Sequence, residues 1–469
     1  MTHAGVTHAA VVHAGVVPAP AATVVLLRSG RVGLEILLTR RPASMAFAPD
    51  MHVFPGGRVD TTDGDSRLVA RSVLLPDVAA EGLGGDLPPD VAIATYIAAI
   101  REVFEESGVL LADVGAASGA ASGAASGAAS GAAGRVSRVS RAISLGRSAL
   151  VGGDADFATI AEDLDLTLRT DLLVPLSRWV TPPVLPRRFD TRFFAAELPA
   201  GARVSFEGDE VAGHTWLTPA AALTAMADGA LPMWMPTSGT LQQLREVESI
   251  GEIRERLAPG RLGQPSVETL SPEVTRIVMP AGGGVAGQPI ASYLVGRHRF
   301  VLVDPGDPTG PAVQLAMSVA AGRADPGHIE AIALTRVAPD HAGGAEGLAE
   351  ILGIPVLAGP GGGRSLPYEI DELVDLEEVA FGDVRLRAIH TPGPSLEHLA
   401  FAVGLDMVIG GDLDGGIGAR TIAGPIDVDA MSRSRARVRD LLPGATWLAS
   451  HPASQPVGEP ASYPVGEPA

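Results

Sequence analysis

PPDVAIATYIAAIREVFEESGVLL, residues 88–111, decides the fold of the first half of this chain. Asp90 stands as an N-cap behind two prolines, Gly108 as a stop, and apolar residues recur between them at helical spacing. On such a helix Glu102, Glu105 and Glu106 fall at i, i+3 and i+4, which gathers three carboxylates on one face. Like charges so close destabilise a bare helix. A hard cation such as Mg²⁺ removes that repulsion, because it takes oxygen ligands and shares them with phosphate oxygens. A solvated acidic face would carry the same E-x-x-E-E pattern, so the surroundings must decide between the two.

The surroundings favour the metal. REVFEESGV, residues 101–109, resembles the second half of the Nudix box, R-E-U-x-E-E-x-G-U with U apolar, and HVFPGGRVD, residues 52–60, resembles the strand and glycine turn that open it. The pattern G-x5-E-x7-R leaves no room for the 44 positions from Gly57 to Arg101, so the chain is similar to the Nudix branch with a long insertion inside the box, the coenzyme A diphosphatase type. The box's first glutamate has no counterpart, although Asp60, Asp63 and Asp65 lie nearby, and none of them is assigned its role. RRFDTRFFAAELP (187–199), TWLTPAAAL (215–223) and MPTSGTLQQL (235–244) extend the resemblance over residues 21–257.

The resemblance implies that Glu105 and Glu106 hold Mg²⁺ or Mn²⁺ against a diphosphate, and that Glu102 ligates the metal or takes a proton from the attacking water. Arg101 orients the glutamates. LLTRRPASMAFAPDMHVFPGG, residues 37–57, keeps both ends of the LLTxR and FPGG pattern of coenzyme A-cleaving members, which implies Arg41, Gly56 and Gly57 at the substrate. The Arg and His expected between them are Ala46 and Ala48. Glu210, in GDEVAGHTWL, is a further carboxylate for the same site or an ordinary surface residue.

From Val274 onward, strand-like runs (RIVMP, IASYLVG, RFVLVDPG, IEAIALT, IPVLAG, VRLRAIH, LAFAVG, MVIGG, TWLASH) alternate with a few helical ones, a pattern of stacked sheets covered by helices. ALTRVAPDHAGG (333–344), IHTPGPSLEH (389–398), MVIGGDLDGG (407–416) and WLASHP (447–452) come in the order of the metallo-β-lactamase fold, whose ligands sit in H-x-H-x-D-H, PGH, GD and a final His. By that resemblance Arg336, Ala338 and Pro394 stand where three ligands of one metal would be. Asp340, His341, Asp412 and His451 keep the positions that hold the other, and two carboxylates with two imidazoles suit one Zn²⁺ or Fe²⁺. Asp340 would also serve as an N-cap. His390 and His398 flank the lost ligand as substitutes or as structural histidines.

The expected fold is therefore α/β and α+β in two domains: a Nudix α/β/α sandwich over 21–257 and a metallo-β-lactamase-like αββα sandwich over 274–452. An Ala/His tail (1–20), a Gly/Ala/Ser repeat insert (115–134) and a Pro-rich tail (453–469) are expected to be disordered, and a Pro/Gly-rich linker (258–273) to join the two domains. GGGVAG, residues 282–287, imitates a dinucleotide fingerprint but precedes a strand rather than a helix, so it reads as a turn.

With 469 residues, two or three cores are expected. A net charge of −19 argues against nucleic acid and anionic membranes, and the absence of cysteine removes disulfides, thiolate metal sites and thiol nucleophiles. Neither a basic-headed leader nor an apolar run of membrane length is found, so a cytoplasmic location is expected. Three functions stay open: cleavage of the diphosphate of a nucleotide conjugate, coenzyme A or an acyl-coenzyme A first; a one-metal hydrolase of thioesters or phosphoesters in the second half; or a second half that is a scaffold or homo-oligomerisation module.

Overall fold

The computed structural model describes residues 17–45, 49–115, 128–181, 187–206, 211–256, 266–279, 290–306, 311–321, 327–366, 368–382, 384–414 and 427–451. Residues 1–16, Ala46, Ala48, Glu210, the run at 282–287 and the tail 453–469 lie outside them. The chain divides into two compact units, Met1–Gly263 with Pro308–His328 and Glu350–Leu352, and Gln264–Asp307 with Ile329–Ala349 and Gly353–Ala469.

The first unit is the expected α/β/α sandwich. Its sheet runs in the order His52–Val53, Leu34–Arg40, Ala19–Ser29, Phe189–Glu197, Val174–Val180, with Gly56–Arg58 paired to the central strand and Gly213–Leu217 to Leu34–Arg40. Ala19–Ser29 and Phe189–Glu197 are parallel and mostly buried, as strands covered on both faces must be. On one face the glutamate helix, Pro89–Ser107, packs Ile93, Tyr96, Ile97, Ile100 and Phe104 against Val24, Leu26, Leu37 and Phe194. The helices Met235–Leu244 and Ile250–Arg256 belong to the rest of that unit, with Leu241, Leu244 and Ile253 fully buried.

The second unit is the αββα sandwich. A seven-stranded sheet, from Ser266–Ser271 through Val274–Met279, Ile290–Gly296, Arg299–Val303, His328–Ala333 and Val356–Ala358 to Asp371–Glu372, faces a five-stranded one made of Glu378–Phe381, Val384–His390, Leu399–Val403, Met407–Gly411 and Thr446–Ala449. Tyr293, Val301 and Ala331 from the first sheet and Leu386, Phe401 and Ile409 from the second form one core. Met431, Val438 and Leu442, on or just after the helix Val428–Leu441, cover the outer face of the smaller sheet.

Four sequence expectations change. The helix Ala128–Gly152 begins inside the repeat, since alanine is the strongest helix former and needs little besides a packed continuation. The strand Ser266–Ser271 lies inside the expected linker and pairs with Val274–Met279. The glutamate helix starts at Pro89 with Pro88 at its N-cap, leaving Asp90 in the first turn, because a proline with preset φ takes N1 readily. The helix Pro339–Ala342 likewise has Ala338 at its N-cap and Pro339 next, so Asp340 is inside it rather than capping it.

Candidate functional site

Arg101 is the hub of the first site. Its Nε and Nη2 donate to the two oxygens of Asp63 at 2.7 and 2.9 Å, and Nη2 also reaches Arg58 O at 2.9 Å. Nη1 donates to Glu102 Oε1 at 2.9 Å and to Glu105 Oε2 at 3.2 Å. Burial works against the guanidinium charge, but Asp63 and the two glutamates outweigh it and raise the pKa further. Asp63 itself is fully buried in the short turn Thr61–Gly64 and accepts from Asp60 N at 2.7 Å. It stands six residues after Gly57, where the box has its first glutamate. That register was the signal: Asp63 supplies the missing carboxylate, and the insertion falls after it rather than across it.

Two glycines bring the turn onto the helix. Gly56 N donates to Glu106 Oε2 at 3.2 Å. A Cβ at Gly56 would come within 2.4 Å of Ala22 O, so that position accepts no side chain, and one at Gly57 would come within 2.4 Å of the Glu102 carboxylate and displace it from Arg101. Burial pushes Glu102 up to about 7, against the pull of Arg101. Arg41, Gly56, Gly57 and Glu106 line one cleft with Thr23, Thr39, Phe54, Trp179, Phe193 and Trp234. The expected substrate residues and one of the three glutamates thus share a partly apolar cleft.

The three glutamates are not drawn together. Glu102 and Glu105 turn to Arg101 while Glu106 turns to the glycine turn. Among the described residues, Asp340, His341 and His451 form the group whose ligand atoms all lie within 4.8 Å of one another. The glutamate donors nonetheless suit a hard cation: they are carboxylate oxygens on one helix face, one of them strongly desolvated.

That tighter group is in the second unit, at strand ends. His451 Nε2 lies 3.7 Å from Asp340 Oδ2 and 3.4 Å from Asp412 Oδ1, and His341 Nε2 lies 3.9 and 3.5 Å from the same two atoms. All four expected positions therefore converge. Asp340 Oδ1, His341 Nε2 and Asp412 Oδ1 are buried without a hydrogen bond, which fits a cation between them. Asp412 Oδ2 instead takes the buried Arg336 guanidinium. Burial would raise the Asp412 pKa, but His341 and Arg336 hold it well below the usual carboxylate range.

Asp304, which the sequence reading passed over, organises this centre from behind. It accepts from Thr335 N at 2.8 Å, Thr335 Oγ1 at 2.7 Å and Ser450 Oγ at 3.1 Å, and faces His341 Nδ1 at 2.9 Å. With a cation in the centre, a proton on Nδ1 directed at Asp304 would leave the Nε2 lone pair to ligate that cation beside Asp340 and Asp412. Burial depresses the His341 pKa, yet Asp304 and Asp412 drive it well above its ordinary value. The backbone of Asp304 has φ 52°, a region costly for a side-chain-bearing residue. A polar residue closing an apolar strand before Pro-Gly, in RFVLVDPG, was the available signal.

His398 packs beside the centre: its Nδ1 meets Thr391 Oγ1 at 2.8 Å, and burial pulls its pKa down to about 4. A Cβ on Gly411, at φ 57°, would strike His398 Nε2 at 2.6 Å. His390 is tied to Leu396 O at 2.8 Å, a structural contact. No helix among the described residues is long and apolar enough to cross a membrane.

Comparison with known proteins agrees with both halves. The family model for the metallo-beta-lactamase superfamily matches residues 285–431, and the model for the NUDT19 Nudix domain matches residues 4–244. Acyl-coenzyme A diphosphatase NUDT19 of Xenopus laevis is 29% identical over 215 residues, covering 40% of this chain and 54% of that protein. The Homo sapiens protein of the same name is 29% identical over 229 residues, covering 44% and 58%. The chain thus spans little more than half the length of these relatives. A NUDIX hydrolase structure from Alicyclobacillus acidocaldarius is 27% identical, with TM-score 0.39, over 53% of this chain and 100% of that one. With more than half of its residues matched by the first family model, the chain belongs to the NUDT19 Nudix domain family.

Proposed function

We propose that the first unit hydrolyses the diphosphate linkage of a nucleoside diphosphate conjugate, with coenzyme A or an acyl-coenzyme A as the substrate class. The observation that carries this reading is the assembly of Glu102, Glu105 and Glu106 on one helix, braced by Arg101 and Asp63, with the Gly56–Gly57 turn and Arg41 along the same cleft. The names of the relatives, acyl-coenzyme A diphosphatases, support the substrate class.

Water adds across the P–O–P bridge and leaves two phosphate monoesters. Mg²⁺ or Mn²⁺ held by Glu105 and Glu106 would supply the positive charge that draws in and polarises the diphosphate. Arg101 fixes the glutamate rotamers, so that their geometry is set before substrate arrives. Glu102, one turn back on the same face, ligates the metal or takes the proton of the attacking water. The glycines let the backbone lie beside these carboxylates without a side chain in between. Arg41 offers a cation to the substrate's phosphates, and the aromatic walls accept its apolar part. Substituting Glu106→Gln should abolish turnover while circular dichroism and melting stay as in the parent. Undiminished turnover in E106Q would rule the assignment out.

A second reading rests on the convergence of Asp340, His341, Asp412 and His451. These residues would hold one Zn²⁺ or Fe²⁺, with Asp304 orienting His341, in the domain we place at 274–452. Arg336 would stand where a further metal's ligand sits in the related fold. Such a centre would support hydrolysis of a thioester or phosphoester independent of the glutamate helix.

A further inference from the structure

Arg147 is the bulkiest of the fully buried side chains, 2% exposed, and it comes from the helix Ala128–Gly152. Its neighbour Gly146 allows that helix to approach Phe157–Asp163: a Cβ there would meet Ile160 Cγ2 at 3.1 Å. Sealing a guanidinium away from water is unfavourable unless its donors are used.

Among the described residues, they meet the end of the glutamate helix and Ser205. Nε and Nη2 donate to Glu105 O at 3.0 and 2.8 Å, Nη2 donates also to Glu106 O at 3.0 Å, and Nη1 donates to Ser205 Oγ at 3.0 Å. Glu105 and Glu106 lie in the last turn of the glutamate helix, whose final four carbonyls lack partners within the helix. Gly108 N takes Phe104 O at 3.0 Å and Ser205 N takes Ser107 O at 2.8 Å. Arg147 takes the remaining two, which are the main-chain carbonyls of the proposed metal ligands themselves. Its charge also lies at the negative end of the helix dipole. Gly108, at φ 70°, is the residue that lets it in, since a Cβ there would meet Ser205 Oγ at 2.6 Å and Arg147 Nη1 at 2.9 Å.

We propose that Arg147 is a positioning residue: it locks the last turn of the glutamate helix through the carbonyls of Glu105 and Glu106, and so fixes the carboxylates that receive the divalent cation. The inference rests on the diphosphatase reading. A last turn left to fray would swing those side chains well beyond the ~0.5 Å that a preorganised site tolerates.

The test measures Mn²⁺ binding by electron paramagnetic resonance on the full chain carrying D340A, which disables the donor set of the second unit. In that background R147M, similar in bulk but without donors, should bind Mn²⁺ roughly tenfold more weakly. R147K, whose ammonium still reaches the carbonyls, should recover part of that loss. Activity should be partly restored at high Mg²⁺ in both, with the KM for the conjugate little changed, a pattern that general loosening of the fold would not give. R147M and R147K folded by circular dichroism yet binding Mn²⁺ as tightly as the parent would overturn the role of Arg147 alone. Should R147M not fold, R147K decides. A parent that binds no Mn²⁺ would overturn the diphosphatase reading, and this inference with it.

Discussion

Arg101 is held by Asp63 on one side, by Glu102 and Glu105 on another, and by the carbonyl of Arg58. Only the Asp63 contact is bidentate, and Asp63 is the most shielded of the three carboxylates, its side chain 1% exposed against 13% for Glu102 and 24% for Glu105. Removing one partner of such a pair strands the other charge out of water. We therefore expect Asp63→Ala to cost about 3 kcal/mol in denaturant unfolding and to lower activity through misplaced glutamates, while Asp63→Glu keeps most of both. A D63A protein as stable as the parent would mean that Arg101 draws its support elsewhere. This residue was legible only in part. Its register after Gly57 was in the sequence, but a change of residue type and two neighbouring aspartates, Asp60 and Asp65, hid it until the hydrogen bonds separated the three. Asp60 and Asp65 instead accept from backbone N–H groups of the next short helical turns. Asp304 was hidden for a different reason: its partners come from two distant places in the chain, Thr335 with His341 in one stretch and Ser450 far beyond it.

The glutamate helix and the glycine turn work as a pair of elements. The helix was readable from periodicity and from Gly108, and nine of the twelve strands described in the second half from their apolar runs, because each buries its own pattern. Its start was misread, since a proline pair and an acidic residue both mark a helix N-terminus and only the backbone shows which takes the cap. The three carboxylates were correctly placed on one face, but spacing cannot tell whether they face one another or a shared arginine. The closeness of turn to helix is testable. Gly57→Ala would drive a methyl into the Glu102 carboxylate, so activity at saturating Mg²⁺ should fall by about 100-fold with a much smaller change in melting temperature. An active G57A enzyme would show that Glu102 can move aside without consequence.

At the scale of the whole molecule, two units each bring their own set of acidic or imidazole donors, and the sets differ in chemistry. Carboxylates alone favour a hard, exchangeable cation, whereas imidazoles with carboxylates favour a transition metal held more firmly. After mild chelation and dialysis, metal analysis of the parent should find about one Zn²⁺ or Fe²⁺ per chain, and D340A should lose it while keeping Mg²⁺-dependent hydrolysis. Equal metal in D340A and parent would show that Asp340 belongs to no metal centre. The order of strands and motifs in that half was readable, and so was Arg336 at a ligand position of the related fold, yet its pairing with Asp412 was not, because a salt bridge across 76 residues leaves no local mark. For the first unit, the decisive measurement is to incubate the purified full chain with coenzyme A or an acyl-coenzyme A and Mg²⁺ and to separate the products by chromatography. A diphosphatase should consume the conjugate in a Mg²⁺-dependent way and yield two phosphate monoesters; intact coenzyme A and acyl-coenzyme A, or an acyl-coenzyme A cut only at its thioester, would exclude that activity.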